Sequence, residues 1–315
     1  MSFSGYDMIV ILGPTASGKT KLAALLASKI NGEIISADSR QVYREMNIGT
    51  GKDYDDFMVN GIHIPYHLID IADPGTEFNV FQFQREFITA YNDITSRNRF
   101  PILCGGTGMY LDAVLKGYKL IDVPENNLLR EELRKKSLSE LVEILSSLKK
   151  LHSNSDSTDI NRTIRAIEIE TYLKQAGKQK NDFPQIKSFI AGIDIERKFL
   201  RDKITQRLEK RLKEGMIEEV KNLLANGIRP EKLKYYGLEY KLITMYVSGE
   251  IIYDEMFTSL NTAIHQFAKR QMTWFRKMEK SGLIIHWING LQNTEEMTRK
   301  IMELIHVKKD KTFSL

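Results

Sequence analysis

The chain contains a single cysteine, Cys104. An intrachain disulfide is therefore excluded, as is a zinc site built on several cysteines. No apolar run approaches the roughly twenty residues that a membrane-spanning helix needs. The start, Met1-Ser-Phe-Ser-Gly-Tyr-Asp7, passes at once into an apolar stretch, so no secretory signal is expected. A cytoplasmic protein is the expectation. Internal repeats and low-complexity segments are also missing. The basic excess is small, +5 over 315 residues with a pI near 9.0, so global charge alone does not establish a nucleic-acid partner. What remains is an ordinary soluble composition, 42% hydrophobic and 28% charged, in a chain long enough for one large or two modest domains.

Against these absences one stretch stands out. Gly13-Pro14-Thr15-Ala16-Ser17-Gly18-Lys19-Thr20 follows the apolar run Met8–Leu12 and leads into a helical composition, Lys21–Ser28. Strand, glycine-bounded loop and helix start occur in the order of a phosphate-binding P-loop, with the full G-x-x-x-x-G-K-T spacing. Glycines let successive N–H groups turn into one hollow, and the helix start adds partial positive charge. Lys19 can reach terminal phosphate oxygens, and the Thr20 hydroxyl can join a magnesium shell. The loop predicts a bound polyphosphate without saying which one.

Further along, Gly32–Asp38, His63–Ile71 and Phe100–Cys104 read as strands of a buried sheet. Asn79–Asn98 reads as an amphipathic helix capped by Asn79. Strands alternating with helices predict an α/β fold, a P-loop NTPase-like parallel sheet flanked by helices. Ligands of such sheets sit at the C-terminal strand ends. That rule gathers the loop, Asp38 and Thr107 around one site.

From about Val123 the texture becomes helical and charged, with a polar break at Leu151–Asp159, a helix at Ile160–Gln175 and a polar loop to Pro184. Strand character returns at Lys187–Asp194. The expected organisation is a core of residues 1–122 and 187–315, interrupted by a helical insertion subdomain of residues 123–186. In the next segment, Glu196–Gly227, Leu200, Ile204, Leu208, Leu212, Met216 and Val220 form an apolar stripe. Lys203, Arg207 and Arg211 form a basic row beside it. A phosphate partner and a merely solvated face both fit that row. In residues 257–280, Ile264, Phe267 or Ala268, Met272, Phe275 and Met278 make the apolar stripe. Lys269, Arg270, Arg276 and Lys277 lie around it, with Trp274 between Arg270 and Lys277 on one face, a mixture that single-stranded nucleic-acid surfaces use and that a buried Trp among lysines also gives. Leu283–Ile288 reads as a last strand, followed by a helix and a charged tail, Lys308–Lys311.

A P-loop usually implies nucleotide hydrolysis or kinase activity. Here the strand Pro101–Cys104 ends in Gly105-Gly-Thr-Gly108, where a magnesium-binding acid would be expected. The available acid is Asp38, on a different strand end, placed to act on an acceptor. Phosphates held by the loop can therefore belong to a leaving group.

Six motifs then occur in series: G-P-T-A-S-G-K-T, I-S-A-D-S-R-Q-V-Y-R-E-M-N-I-G-T, H-L-I-D-I, G-G-T-G-M-Y, N-R-T-I-R-A-I-E and A-K-R-Q-M-T-W-F-R. Over about residues 8–280 the chain resembles the tRNA dimethylallyltransferases, also called isopentenyl-tRNA transferases. The resemblance implies transfer of a dimethylallyl group from dimethylallyl pyrophosphate to the exocyclic amine of the adenine 3′ of the tRNA anticodon. It implies Mg2+ as cofactor and the tRNA anticodon stem-loop as partner. Asp38 is the candidate base for the weakly nucleophilic amine, and Thr107 resembles the threonine that helps fix it. By the same resemblance Asp38, Ser39, Arg40, Gln41, Asn161, Arg162, Thr163, Ile164 and Arg165 contact the tRNA around a flipped base, and Arg130 matches a further tRNA-contacting arginine. Lys269, Arg270 and Arg276 are added as tRNA contacts. Arg197, Lys203 and Arg207 align with a basic helix expected to meet pyrophosphate or backbone. The insertion is expected to shield the allyl cation from water. A monomer without membrane or zinc partners is expected.

Two departures stand in the half expected to face tRNA. Ile264 and His265 replace a polar and basic pair, and Lys234-Tyr-Tyr-Gly-Leu-Glu-Tyr-Lys241 replaces the common Q-A-I-G-Y-K-E. Rival readings are a small-molecule kinase using ATP and a non-catalytic P-loop RNA-binding module.

Overall fold

A computed structural model of the chain describes residues 5–150, 158–176 and 183–310. The polar break at 151–157, the loop at 177–182 and the tail from 311 onward lie outside the described residues. The chain divides into two compact units, Met1–Tyr118 with Pro184–Leu315, and Lys119–Phe183.

In the larger unit Met8–Leu12 forms β1, buried along its whole length. After it come α1 (Lys19–Ile30) and β2 (Gly32–Ala37), then β3 (Met58–Val59), β4 (Ile62–His63) and β5 (Tyr66–His67). The helix α2 (Val80–Ser96), the strand β6 (Phe100–Gly105) and the helix α3 (Gly108–Leu115) complete its first part. Asn79 caps α2 as expected: its side chain accepts from Gln82 N while the Gln82 side chain accepts from Asn79 N. The expected strand at 63–71 is only two residues long. Asn60 and Gly61, both with positive φ, turn Ile62–His63 back onto Met58–Val59 as a small hairpin, and Leu68 and Asp70 adopt left-handed φ of 65° and 57°.

The second part of this unit is β7 (Ser188–Asp194), α7 (Arg197–Lys213), α8 (Met216–Ala225), α9 (Pro230–Tyr235), α10 (Leu238–Val247), α11 (Tyr253–Lys280), β8 (Ile285–Asn289) and α12 (Thr294–Asp310), after the insertion's three helices numbered below. The main sheet has the order β5-β2-β6-β1-β7-β8, and every pairing in it is parallel. Because all strands run one way, the loops after β1, β2 and β6 emerge at one edge of three adjacent strands. The long apolar stripe of residues 200–220 breaks at Gly215, φ 103°, into α7 and α8. Leu200, Ile204, Leu208, Met216 and Val220 are buried on it as expected.

The insertion unit contains α4 (Asn127–Leu133), α5 (Leu138–Leu148) and α6 (Ile160–Ala176). Its own small core is Leu133, Leu141, Leu145, Ile164, Ala166 and Ile167.

Candidate active site

The loop Gly13–Thr20 leaves β1 and enters α1 at its edge of the sheet. Gly13 has no room for a side chain, since a Cβ there would lie 2.8 Å from Ser17 Oγ. Gly18 takes φ 81°, and Ala16 accepts the less favourable left-handed φ of 60°. Lys19 Nζ donates to Pro14 O at 3.1 Å, closing the loop on itself. Burial lowers the Lys19 pKa and Arg207 and Arg211 push the same way, while Cys104 and Asp38 oppose them. The Ser17 hydroxyl is buried with no hydrogen-bond partner among the described residues, an arrangement that leaves it available to an anion. Cys104, behind the loop, is inert: burial pushes its thiol up to about 12.

Asp38 follows β2, two strands from β1 with β6 between them. Its Oδ1 accepts from Arg40 N at 2.9 Å and from Gln41 N at 3.3 Å, a local turn that fixes the carboxylate. Its Oδ2 takes no hydrogen bond among the described residues. Thr107, at the start of α3, does not cap that helix. Its Oγ1 instead accepts from Ser39 N at 3.0 Å, and its backbone N donates to Ala37 O at 3.2 Å. The structure thus brings Asp38, Ser39 and Thr107 together as one feature spanning the ends of β2 and β6. Gln41 is turned inward, donating to Gly51 O and accepting from Ser36 Oγ. The Arg40 side chain runs beside Gly237, its Nε 3.4 Å from where a Cβ would sit.

Gln271, on the buried face of α11, was not singled out by the sequence reading. Its Oε1 accepts from Thr15 N at 2.8 Å and its Nε2 donates to Gly106 O at 3.0 Å, tying the P-loop to the loop after β6. Gln271 occupies the inward place on the stripe, where the neighbours are backbone polar groups. Met272, expected there, is only half-buried, and Phe267 faces out while Ala268 is buried.

On α7 the basic row divides. Lys203 and Arg197 are exposed. Arg207 donates to Thr15 Oγ1 at 3.3 Å and to Asp53 Oδ2 at 2.9 Å, and Arg211 is buried and paired with the same Asp53. Thr15, Ala16, Ile204, Leu208, Arg207, Arg211 and Glu239 line one small cavity of about 20 Å³. Burial raises the Glu239 pKa there, and the two arginines partly offset that.

On α11, Lys269, Arg270 and Arg276 are exposed and form no ion pair with a carboxylate among the described residues. Trp274 is half-buried and donates to Asp112 Oδ2 at 2.9 Å, with Lys277 Nζ 5.9 Å from its ring centre, so the ring serves packing as well as the basic face. The departures are in part built inward. Ile264 is buried, and His265 Nε2 approaches Thr205 Oγ1 and Arg201 O, joining α11 to α7. Tyr236 packs edge-on against Tyr43 at 4.6 Å, and Tyr240 OH donates to Glu219. Of the segment's tyrosines 235, 236 and 240, only Tyr235 is well exposed.

Within the insertion, Arg130 is held by Glu168 and Glu125, and Arg165 pairs with Glu168 and donates to Val123 O. Thr163 and Ile164 are buried in the unit, which leaves Asn161 and Arg162 as the exposed residues of the expected tRNA-contacting run.

Among the described residues no group of three or more His, Cys, Asp or Glu side chains could hold a metal ion. A P-loop cation does not require one, because phosphate oxygens and water fill most of its shell. Thr20 fits that arrangement: it is half-buried at the start of α1 and its hydroxyl has no partner among the described residues. Nor is any helix among these residues long and apolar enough to cross a membrane.

The family model described as IPP transferase matches residues 41–278, and that described as isopentenyl transferase matches residues 6–63. A protein of Bacteroides fragilis described as tRNA dimethylallyltransferase 2 is 59% identical over 94% of this chain and 96% of its own length. One of the same description from Phocaeicola vulgatus is 58% identical over 96% and 99%. Among solved structures, the tRNA isopentenylpyrophosphate transferase of Bacillus halodurans superposes with a TM-score of 0.70 at 33% identity, covering 97% of each chain. A eukaryotic dimethylallyltransferase acting on tRNA shares the fold, with a TM-score of 0.76 at 23% identity over 97% of this chain and 79% of its own.

Proposed function

The chain belongs to the IPP transferase family, and from that premise we infer that it transfers a dimethylallyl group from dimethylallyl pyrophosphate to the N6 amine of the adenine 3′ of the anticodon in tRNA. The observation that carries the reading is the common edge of β1, β6 and β2. It sets a phosphate-binding loop beside a carboxylate turn and puts no acid at the end of β6. An acid that held the phosphates' magnesium would be expected after β6, and this chain has its acid after β2 instead, where it can act on an acceptor.

The chemistry then follows from the geometry. The adenine is flipped out of its stack so that N6 can face the donor. Asp38, fixed through Oδ1, has Oδ2 free to accept the N6 proton. As the bond from N6 to C1 of the donor forms, the bond from C1 to the pyrophosphate oxygen breaks. The departing charge is met by Lys19, Arg207, Ser17 Oγ and the loop N–H groups other than that of Thr15, which Gln271 already holds. Thr107 positions the Asp38 turn. Mg2+, held through Thr20 when the donor binds, would neutralise part of the leaving charge.

Lys269, Arg270, Arg276, Asn161 and Arg162, all exposed, are assigned to the tRNA backbone, with Arg197 and Lys203 as further phosphate contacts. Arg130, Thr163, Ile164 and Arg165 act by shaping the insertion. A monomer working in the cytoplasm without zinc completes the reading.

The test is incubation with unmodified tRNA, magnesium and labelled dimethylallyl pyrophosphate. Label on the adenine next to the anticodon supports the reading. Label left in the donor, together with tight ATP binding and phosphate transfer, would replace it with the kinase.

A further inference from the structure

Arg207 and Arg211 stand one helical turn apart on α7, an arrangement in which two like charges repel. Arg211 is buried besides, and burial followed by the neighbouring Arg207 lowers its pKa. Glu239 lies close enough to offset part of this, and Asp53 is the carboxylate that hydrogen-bonds both. Asp53 Oδ2 lies 2.9 Å from Arg207 Nη2 and 3.1 Å from Arg211 Nη2, and Oδ1 lies 3.2 Å from Arg211 Nη2. Burial works against the Asp53 charge, but the two guanidiniums outweigh it and hold the carboxyl below its ordinary value.

A fully exposed ion pair would usually be incidental, but Arg211 here is buried. The segment that leads into Asp53, residues 47–52, is also braced. Glu219 accepts from the backbone N of Asn47, Ile48 and Gly49 at 2.8, 2.7 and 3.0 Å. Gln41 Nε2 donates to Gly51 O at 3.0 Å. Lys52, its ammonium wholly buried, donates to Asp70 Oδ1, Tyr43 O and Asn47 Oδ1. At Gly51 the arginines press directly on the backbone. A Cβ there would lie 2.5 Å from Arg211 Nη2 and 2.7 Å from Arg207 Nη2, on a residue whose φ of 76° already favours glycine.

The direction of these bonds matters. Asp53 engages the Nη2 atoms, and Arg207 Nη1 is left pointing at Thr15 Oγ1 in the P-loop. We propose that Asp53 is a positioning residue of the donor site: it binds Nη2 of both Arg207 and Arg211, holds Arg211 in place, and so presents the Nη1 edge of Arg207 to the pyrophosphate at the P-loop, with Gly51 as the gap that admits the two side chains. Guanidinium forks recognise phosphate through two parallel donors, so their rotation is part of their affinity. The proposal rests on the reading that this loop holds the donor's pyrophosphate.

The experiment is titration of the full-length protein with inorganic pyrophosphate and magnesium by calorimetry, alongside steady-state kinetics with dimethylallyl pyrophosphate at saturating tRNA. Variants are Asp53→Ala, the isosteric Asp53→Asn, Gly51→Ala, Arg207→Ala and the double variant Asp53→Ala with Arg207→Ala. We expect Asp53→Ala and Asp53→Asn to weaken pyrophosphate about tenfold and to raise KM for the donor by a similar factor, with kcat within about threefold. Gly51→Ala should act in the same direction. In the Arg207→Ala background the loss at Asp53 should shrink to about twofold, because the two act as one unit. A purely structural Asp53 would lower thermal stability, leave KM alone and add independently to Arg207→Ala, which would overturn the proposal. Tighter pyrophosphate binding in Asp53→Ala would also overturn it, making Asp53 a competitor for the arginines. If the wild-type protein transfers the prenyl group and the variants are indifferent, this inference alone fails. If the wild type neither binds pyrophosphate nor transfers, the reading of the loop fails with it.

Discussion

Thr107 Oγ1 accepts a 3.0 Å hydrogen bond from Ser39 N, although the two residues stand 68 positions apart. That bond fastens the turn carrying Asp38 to the loop after β6, and it diverts Thr107 from capping α3. Thr107→Ala should therefore lower kcat about tenfold or more, while Thr107→Ser, which keeps the acceptor, should stay within about threefold. Single-turnover rates at saturating tRNA and donor separate the two variants. Equal losses in both would assign the effect to the methyl group and its packing.

Asp38→Asn keeps the shape of the turn and removes the proton acceptor. We expect the transfer rate to fall about a hundredfold or more, with tRNA affinity within about tenfold of the wild type. Filter binding gives the affinity, and rapid quench gives the rate. Parallel loss of both would make Asp38 a residue that shapes the tRNA surface.

Gln271→Ala would leave Thr15 N and Gly106 O without their partner in a place where Gln271 is 7% exposed. The expected cost is about 1–3 kcal/mol of stability. Donor KM should rise as well, because the P-loop loses its tether. Urea unfolding and donor kinetics read the two effects separately. Unchanged stability with raised KM would show that water replaces the lost bonds.

Glu33 is a buried carboxylate on β2, hydrogen-bonded by Arg97 and His67. The Arg97 hydrogen bond holds its pKa below 4.5, against the effect of burial and with help from His67. A lowered folded-state value means that this stabilisation is fully present above pH 4.5 and is lost as pH falls through the folded value. Comparing wild type with Glu33→Gln by thermal unfolding from pH 7 to pH 3 should show a gap that narrows only below about pH 4.5. A gap that narrows between pH 7 and pH 5 would point to a different titrating group.

These positions also mark where the sequence stops being readable. β1, the P-loop, the Asn79 cap and the buried stripe of α7 and α8 follow from spacing within a few residues, and each is present as expected. The short β5 was hidden because positive-φ residues at Leu68 and Asp70 ended a stretch that its composition alone would have continued. Gln271 and Asp53 were hidden for another reason. Their meaning lies in partners 256 and 158 positions away, Thr15 and Arg211, and local patterning carries no trace of such pairs. Arg130 and Arg165 show the reverse case. The sequence displays their charge but not the buried Glu168 that engages it.

The central claim is that the P-loop grips a group that leaves while Asp38 prepares the group that attacks. A rapid-quench reaction with donor labelled in both the allyl carbon and the pyrophosphate tests it most directly, with unmodified tRNA and either the wild type or Asp38→Ala. We expect the wild type to place the allyl label on N6 of the adenine beside the anticodon and to release labelled pyrophosphate in equal amount. Asp38→Ala should form the same products at least about a hundredfold more slowly. Phosphorus label appearing on an acceptor, or an Asp38→Ala rate equal to that of the wild type, would contradict the claim.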